Sequence, residues 1–102
     1  MHPNDALDLV KKVHLIPMKE AKEFFYLGMA YLELNCWQNA IEAFEQALRI
    51  QPNDADAHFG LGQVFLACQD IEAAWQEYRI LKDLNNLVAM QLLELICTNK
   101  VH

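Results

Sequence analysis

Apolar residues in this chain fall at helical spacing, and the whole arrangement then recurs. Across residues 19–34 they sit at Phe24, Phe25, Leu27, Tyr31, Leu32 and Leu34, which predicts a helix and not an alternating strand. Asn35-Cys36 interrupts the run, and asparagine tolerates the left-handed conformation that ends helices. A second helix is predicted from about Trp37 to Ile50, with Ala40, Ile41, Phe44, Ala47 and Leu48 on one face. Pro52-Asn53-Asp54 ends it, because proline cannot continue a helix and Asn53 or Asp54 can cap the next one. The cycle restarts with a third helix over Ala55–Ala67 and a fourth over Ile71–Asp83, capped by Asp70. Asn85-Asn86 makes the next turn. A last helix, about Leu87–Asn99, is apolar at Leu87, Val88, Leu92, Leu93, Leu95 and Ile96.

The recurrence has a fixed period. Leu27-Gly28 returns 34 residues later as Leu61-Gly62, and Ala40-x-x-x-Phe44 returns as Ala74-x-x-x-Tyr78. A repeat of that size indicates stacked helical hairpins. Gly28 and Gly62 lie inside helices, where glycine costs about 1 kcal/mol relative to alanine. Its presence at one phase in both copies predicts close helix approach, leaving room for the bulky Phe44 and Tyr78 faces. The last helix has Ile96 at the glycine position, so it is expected to pack on the fourth helix and close the stack. Shifting back by one period aligns Ala6, Leu7, Val10 and Val13 with Ala40, Ile41, Phe44 and Ala47. Residues 4–17 then read as the second helix of a truncated repeat. A competing register aligns His2-Pro3-Asn4-Asp5-Ala6 with Gln51-Pro52-Asn53-Asp54-Ala55 and makes the segment a first helix. The truncated repeat is preferred, since 14 residues between Pro3 and Pro17 are too few for a hairpin.

These residues resemble the tetratricopeptide repeat family. The first copy, residues 21–54, carries Phe24 in the family's tryptophan position, then Leu27, Gly28, Tyr31, Ala40, Phe44, Ala47 and Pro52. The second, residues 55–88, carries Leu61, Gly62, Phe65, Ala74 and Tyr78 and departs at His58, Leu81 and Asn86. Residues 87–100 would be a capping helix. The resemblance implies an all-α fold, a right-handed superhelical stack of antiparallel helix hairpins with about six helices in one domain. It also implies a concave groove lined by the first helix of each pair, which in the family binds extended or helical peptides. The matching positions are Lys22, Phe25, Met29 and Leu32 in the first repeat and Asp56, Phe59, Gln63 and Leu66 in the second. The lysines and asparagines with which some members clamp a carboxylate tail are largely missing, which argues against a chaperone-tail adaptor. The period instead builds a ladder of Phe25, Phe59 and Leu93, of Met29, Gln63 and Cys97, and of Leu32, Leu66 and Lys100. Exposed, it would be an apolar interaction face. Covered by the N-terminal segment or the last helix, it would be core.

Composition narrows the partners. With 102 residues and 54% hydrophobic content, the chain can fill the core of one domain. No run of about 18 apolar residues occurs, so no membrane insertion is expected, and the N-terminus does not read as a secretory signal. The net charge is -6, and all of it lies from Leu27 onward, which disfavours nucleic acid. Cys36, Cys68 and Cys97 are odd in number and far apart, so neither disulfides nor a zinc site is expected, and free thiols point to the cytoplasm.

Catalysis finds no support. His2, His14, His58 and His102 lack metal-binding spacing, and His58 is expected to pack where the repeat prefers an aromatic. Glu42, Glu45, Glu72 and Glu77 read as solvent-facing charges. The Cys97 thiol reads as a packing group, and Trp37 and Trp75 as core or half-buried. No catalytic residue, metal or cofactor is expected. The sequence therefore predicts a non-catalytic protein–protein interaction module holding a peptide or helix on Lys22, Phe25, Met29, Leu32, Asp56, Phe59, Gln63, Leu66 and Leu93. The alternative is a small dedicated chaperone or assembly subunit, open to homodimerisation through the same face. The preceding half-repeat and the closing helix make the chain read as a complete short stack.

Overall fold

Two turns of identical design fold the chain back on itself. A computed structural model describes residues 6–8, 10 and 19–98. Five helices run through the continuous stretch: α1 Ala21–Glu33, α2 Trp37–Ile50, α3 Ala55–Ala67, α4 Ile71–Leu84 and α5 Asn86–Thr98. At the end of α1, Asn35 takes a φ of 61°, the Cys36 amide donates to the Tyr31 carbonyl at 2.9 Å and the Asn35 amide to Leu32 at 3.1 Å. At the end of α3, Gln69 takes a φ of 68°, with Asp70 donating to Phe65 at 2.8 Å and Gln69 to Leu66 at 3.1 Å. Each is a left-handed cap that satisfies two orphan carbonyls and reverses the chain in a few residues. Asparagine announces the first; glutamine, with no special ease in that conformation, hides the second.

Aspartate and asparagine start the later helices. Asp54 accepts from the amides of Asp56 and Ala57 at 3.0 and 3.4 Å, Asp70 from Ala73 at 3.2 Å, and Asn85 from Leu87 and Val88 at 3.1 and 3.3 Å. Asn85 alone joins α4 to α5, whereas Gln51–Asp54 joins α2 to α3. The α1 start is held differently: the Glu23 carboxylate accepts from the Lys19 and Glu20 amides, both at 3.0 Å. Those two bonds, the Lys19 one foremost, hold its carboxyl below the usual glutamate range.

The helices form an all-α stack of hairpins: α1 packs on α2, α3 on α4, and α5 on both α4 and α3. Between the hairpins sits Phe44, fully buried, with Ala40, Leu61 and Val64. A Cβ on Gly28 would stand 2.7 Å from its ring, and one on Gly60 2.6 Å. One aromatic edge is thus clasped by a glycine from α1 and another from α3. Gly62 serves a different neighbour from the one expected. Its nearest side chain is Leu92 of α5, at 2.7 Å from a would-be Cβ, and not Tyr78, which lies half-buried edge-on to Trp75. A second cluster of Leu66, Ala74, Leu81, Ala89, Leu92 and Ile96 seals α5 onto the stack.

The proposed 4–17 helix falls mainly outside the described residues. Within it, residues 6–8 and 10 are helical, and Ala6 has 0% exposure, as do Ala40 and Ala74 one and two periods later. Lys100 also lies outside the described residues.

Candidate interaction site

The first helix of each hairpin presents the face singled out in the sequence. On α1, Lys22 is exposed and Phe25, Met29 and Leu32 are half-buried. On α3, Asp56 is exposed and Phe59 and Gln63 are half-buried, and on α5 Leu93 is half-buried. Phe25 leans on the core through Phe44, with ring centroids 5.8 Å apart, and stands edge-on to Tyr26 at 5.6 Å. Phe59 rests against the Leu66–Leu92 cluster, while Met29 and Leu32 border the Phe44 cluster. Each therefore has an anchored side and an open side. The two charged positions share a depression of ≈ 500 Å³ whose lining includes Lys22, Ile50, Asp54 and Asp56.

Leu66 does not belong with this face. It is only 6% exposed and packs with Leu92 and Ile96, because α5 lies over it. Cys97 departs in the other direction: its thiol is exposed, as are those of Cys36 and Cys68, and all three are free. On α5 the apolar residues divide sharply. Leu92 and Ile96 are buried, whereas Leu87 is 74% and Met90 57% exposed. One period earlier the same positions are Asn53 and Asp56, both polar and exposed.

The chief surprise is Glu77. Glu42, Glu45 and Glu72 are solvent-facing, but Glu77 is buried and its Oε1 lies 2.8 Å from Nδ1 of His58. The other ring nitrogen, Nε2, is 3.0 Å from the Pro52 carbonyl oxygen. The bond to Glu77 raises the His58 pKa above the ordinary histidine value, against an opposing effect of burial; the Pro52 carbonyl and the charges of Glu77 and Asp54 add to the rise. Helical periodicity alone could not pair residues 19 positions apart. The signal lay in comparing copies, since one period earlier His58 and Glu77 correspond to Phe24 and Ala43, an apolar pair.

Residues 28–68 match the family model described as TPR repeat. Over that stretch the helical hairpins are tetratricopeptide repeats. Superkiller protein 3 of Saccharomyces cerevisiae is 45% identical to this chain over 51 residues, which is 50% of the chain and 4% of that protein. The anaphase-promoting complex subunit cut9 of Schizosaccharomyces pombe is 37% identical over 65 residues, 64% of the chain and 10% of that protein. The chain thus spans a small part of the length of both relatives. Tetratricopeptide repeats are a protein-interaction family, built on stacked hairpins that expose extended binding surfaces. Among the described residues no helix is long and apolar enough to cross a membrane.

Proposed function

We propose that this tetratricopeptide domain is a non-catalytic binding module. It holds a peptide or helix on Phe25, Met29, Leu32, Phe59, Gln63 and Leu93, with Lys22 and Asp56 orienting charged ends of the ligand. One observation carries the reading. Phe25, Phe59 and Leu93 stay half-exposed at one phase of α1, α3 and α5, while the residues packed behind them are buried. Aromatic and aliphatic anchors with a fixed back and an open front suit a partner's apolar side chains. In this reading residues 21–54 and 55–88 are the two repeats, 87–100 the closing helix and 4–17 a half-repeat. Three free, exposed thiols support a reducing compartment such as the cytoplasm.

An assembly-subunit role is the second reading. It is favoured by the relative whose name makes it a subunit of a complex. The two differ in stoichiometry: one constant, equimolar partner supports the assembly subunit, and several exchangeable partners the general module. A dedicated chaperone would show the first pattern with a partner that aggregates alone. A homodimer through the same face would double the mass seen by light scattering, whereas a monomer mass at high concentration argues against it.

The test is a pull-down with Phe25→Glu plus Phe59→Glu, alongside Lys22→Glu plus Asp56→Lys. Circular dichroism establishes that each variant is folded. Loss of the partner supports the groove. Undiminished recovery by a folded aromatic variant removes it.

A further inference from the structure

His58 and Glu77 form a buried polar pair inside the second repeat, each 9% exposed, and the binding face makes no use of them. The fold does not require them either. One period earlier the same two positions are Phe24 and Ala43, which line a common hollow between α1 and α2. The first repeat therefore carries an apolar pair at these positions. Burying a charge pair costs solvation that mutual attraction only partly returns, and apolar replacement is often neutral or stabilising. Packing alone gives no reason for a histidine and a glutamate here.

Proton counting gives one. The ring lies between two acceptors, Glu77 Oε1 at 2.8 Å from Nδ1 and the Pro52 carbonyl oxygen at 3.0 Å from Nε2. A carbonyl only accepts, so Nε2 must donate. The contact at Nδ1 also needs a proton, held either by an imidazolium or by a protonated Glu77. A neutral ring beside an ionised carboxylate has a single N–H for two acceptors. It cannot keep both bonds. The charge-assisted bond to Glu77 is the stronger of the two, so loss of the proton turns the N–H toward Glu77 and leaves two lone pairs facing each other at Pro52.

Among the described residues, the charged groups acting on the ring are Glu77 from α4 and Asp54 from the α2–α3 connection, both acidic and both favouring the proton. The buried faces of the other helices are uncharged: Ala21, Leu27, Gly28 and Ala30 on α1, Ala40, Ala43, Phe44 and Ala47 on α2, and Ala89, Leu92 and Ile96 on α5. Pro52 sits in Gln51–Asp54, the joint between the two hairpins.

We propose that His58 and Glu77 form a proton-controlled latch on this joint. Protonated, the pair ties the inter-repeat connection to α3 and α4. Deprotonated, it releases Gln51–Asp54 while both hairpins stay folded.

The test follows the full chain by NMR from about pH 5 to about pH 9, a span that brackets ordinary histidine titration. It reads the His58 ring nitrogens and the Gln51, Asn53 and Asp54 amides together with their hydrogen exchange. The expected result is a His58 midpoint above that of an ordinary histidine. The connection's amides shift at the same midpoint, and Asp54 exchange quickens by about two- to tenfold beyond the general effect of pH, the range set by one net hydrogen bond. The second arm is the double variant His58→Phe plus Glu77→Ala, which copies the apolar pair of the first repeat. It is expected to fold with the same helix content and to lose the pH dependence of the joint. A His58 midpoint at or below the ordinary value, joint amides that ignore the ring's titration, or a folded double variant that keeps the wild-type dependence would each overturn the latch. Should the double variant fail to fold, the wild-type titration decides alone.

Discussion

Replacing Gly60 with alanine sets two opposing effects against each other at one well-defined place. Inside a helix the substitution favours alanine by about 1 kcal/mol through backbone entropy. Against this, the new Cβ would lie 2.6 Å from both Cε1 and Cζ of Phe44 and 3.1 Å from Cδ1. These atoms are the rigid edge of a ring and not the tip of a flexible chain. The ring is fully buried, and the same edge meets Gly28, where a Cβ would stand 2.7 Å from Cε1, so a retreat from α3 is blocked by α1. Overpacking a filled core costs about 1–3 kcal/mol, and an off-rotamer phenylalanine adds about 0.5–1.5 kcal/mol. The expected net is a loss of about 1–2 kcal/mol, which for a domain of this size lowers Tm by about 5–15 °C. Urea and thermal unfolding followed by circular dichroism measure it, and Gly28→Ala should carry the same sign. Because the clash is with one ring, Phe44→Leu should cost less in the Gly60→Ala background than alone, with a coupling of about 1 kcal/mol or more. A Gly60→Ala protein more stable than wild type, or strict additivity with Phe44→Leu, would show that the ring is not clasped.

Three further outcomes follow from other parts of the molecule. His58 binds its proton more tightly in the folded protein than an ordinary histidine does, so its contribution to stability is complete below about pH 6.5 and is lost as pH rises through the higher folded midpoint; Glu77→Gln should flatten that part of the stability–pH curve, and an unchanged curve would count against the pair. Asp54→Ala removes the acceptor for the Asp56 and Ala57 amides and should cost about 1 kcal/mol by urea unfolding, close to the effect of Asp70→Ala at α4. On α5, Leu92→Ala should cost about 2–5 kcal/mol because the side chain is fully buried in the seat left by Gly62, whereas Leu87→Lys should change stability by no more than about 0.5 kcal/mol; comparable losses at both positions would mean that the exposed side of α5 is misassigned.

What the sequence made legible was whatever one helix or one turn encodes locally. Periodicity placed the five described helices within a residue or two of their ends. Asn35, Asp54 and Asp70 announced their turns through their own backbone chemistry. The period also named Gly28 and Gly62 as close-approach positions. Gly60 escaped because the position does not repeat: one period earlier stands Tyr26, which is exposed, and one period later Glu94. Its partner Phe44 reaches it only once α2 is laid against α3. Glu77 escaped for a similar reason. On α4 it looks like one more charge of an amphipathic helix, and only the tertiary approach of His58 makes its burial tolerable. At the candidate binding face the aromatic rungs could be read from the sequence, but the loss of Leu66 could not. Its exposure depends on where α5 settles, and α5 settles across it.

The shared seat of Phe44 bears on how the domain comes apart. In an array of repeats the stability of each unit and the coupling between neighbours are separate quantities, and their ratio sets whether units melt singly or in concert. Here the largest fully buried side chain among the described residues is contributed by the first hairpin and is housed by a glycine from each hairpin. Excising either one would strand the ring without half its walls. The two hairpins should therefore melt as a single cooperative unit, and dividing the chain at Gln51–Asp54 should yield fragments that do not fold apart, as thermal unfolding of each fragment by circular dichroism would show.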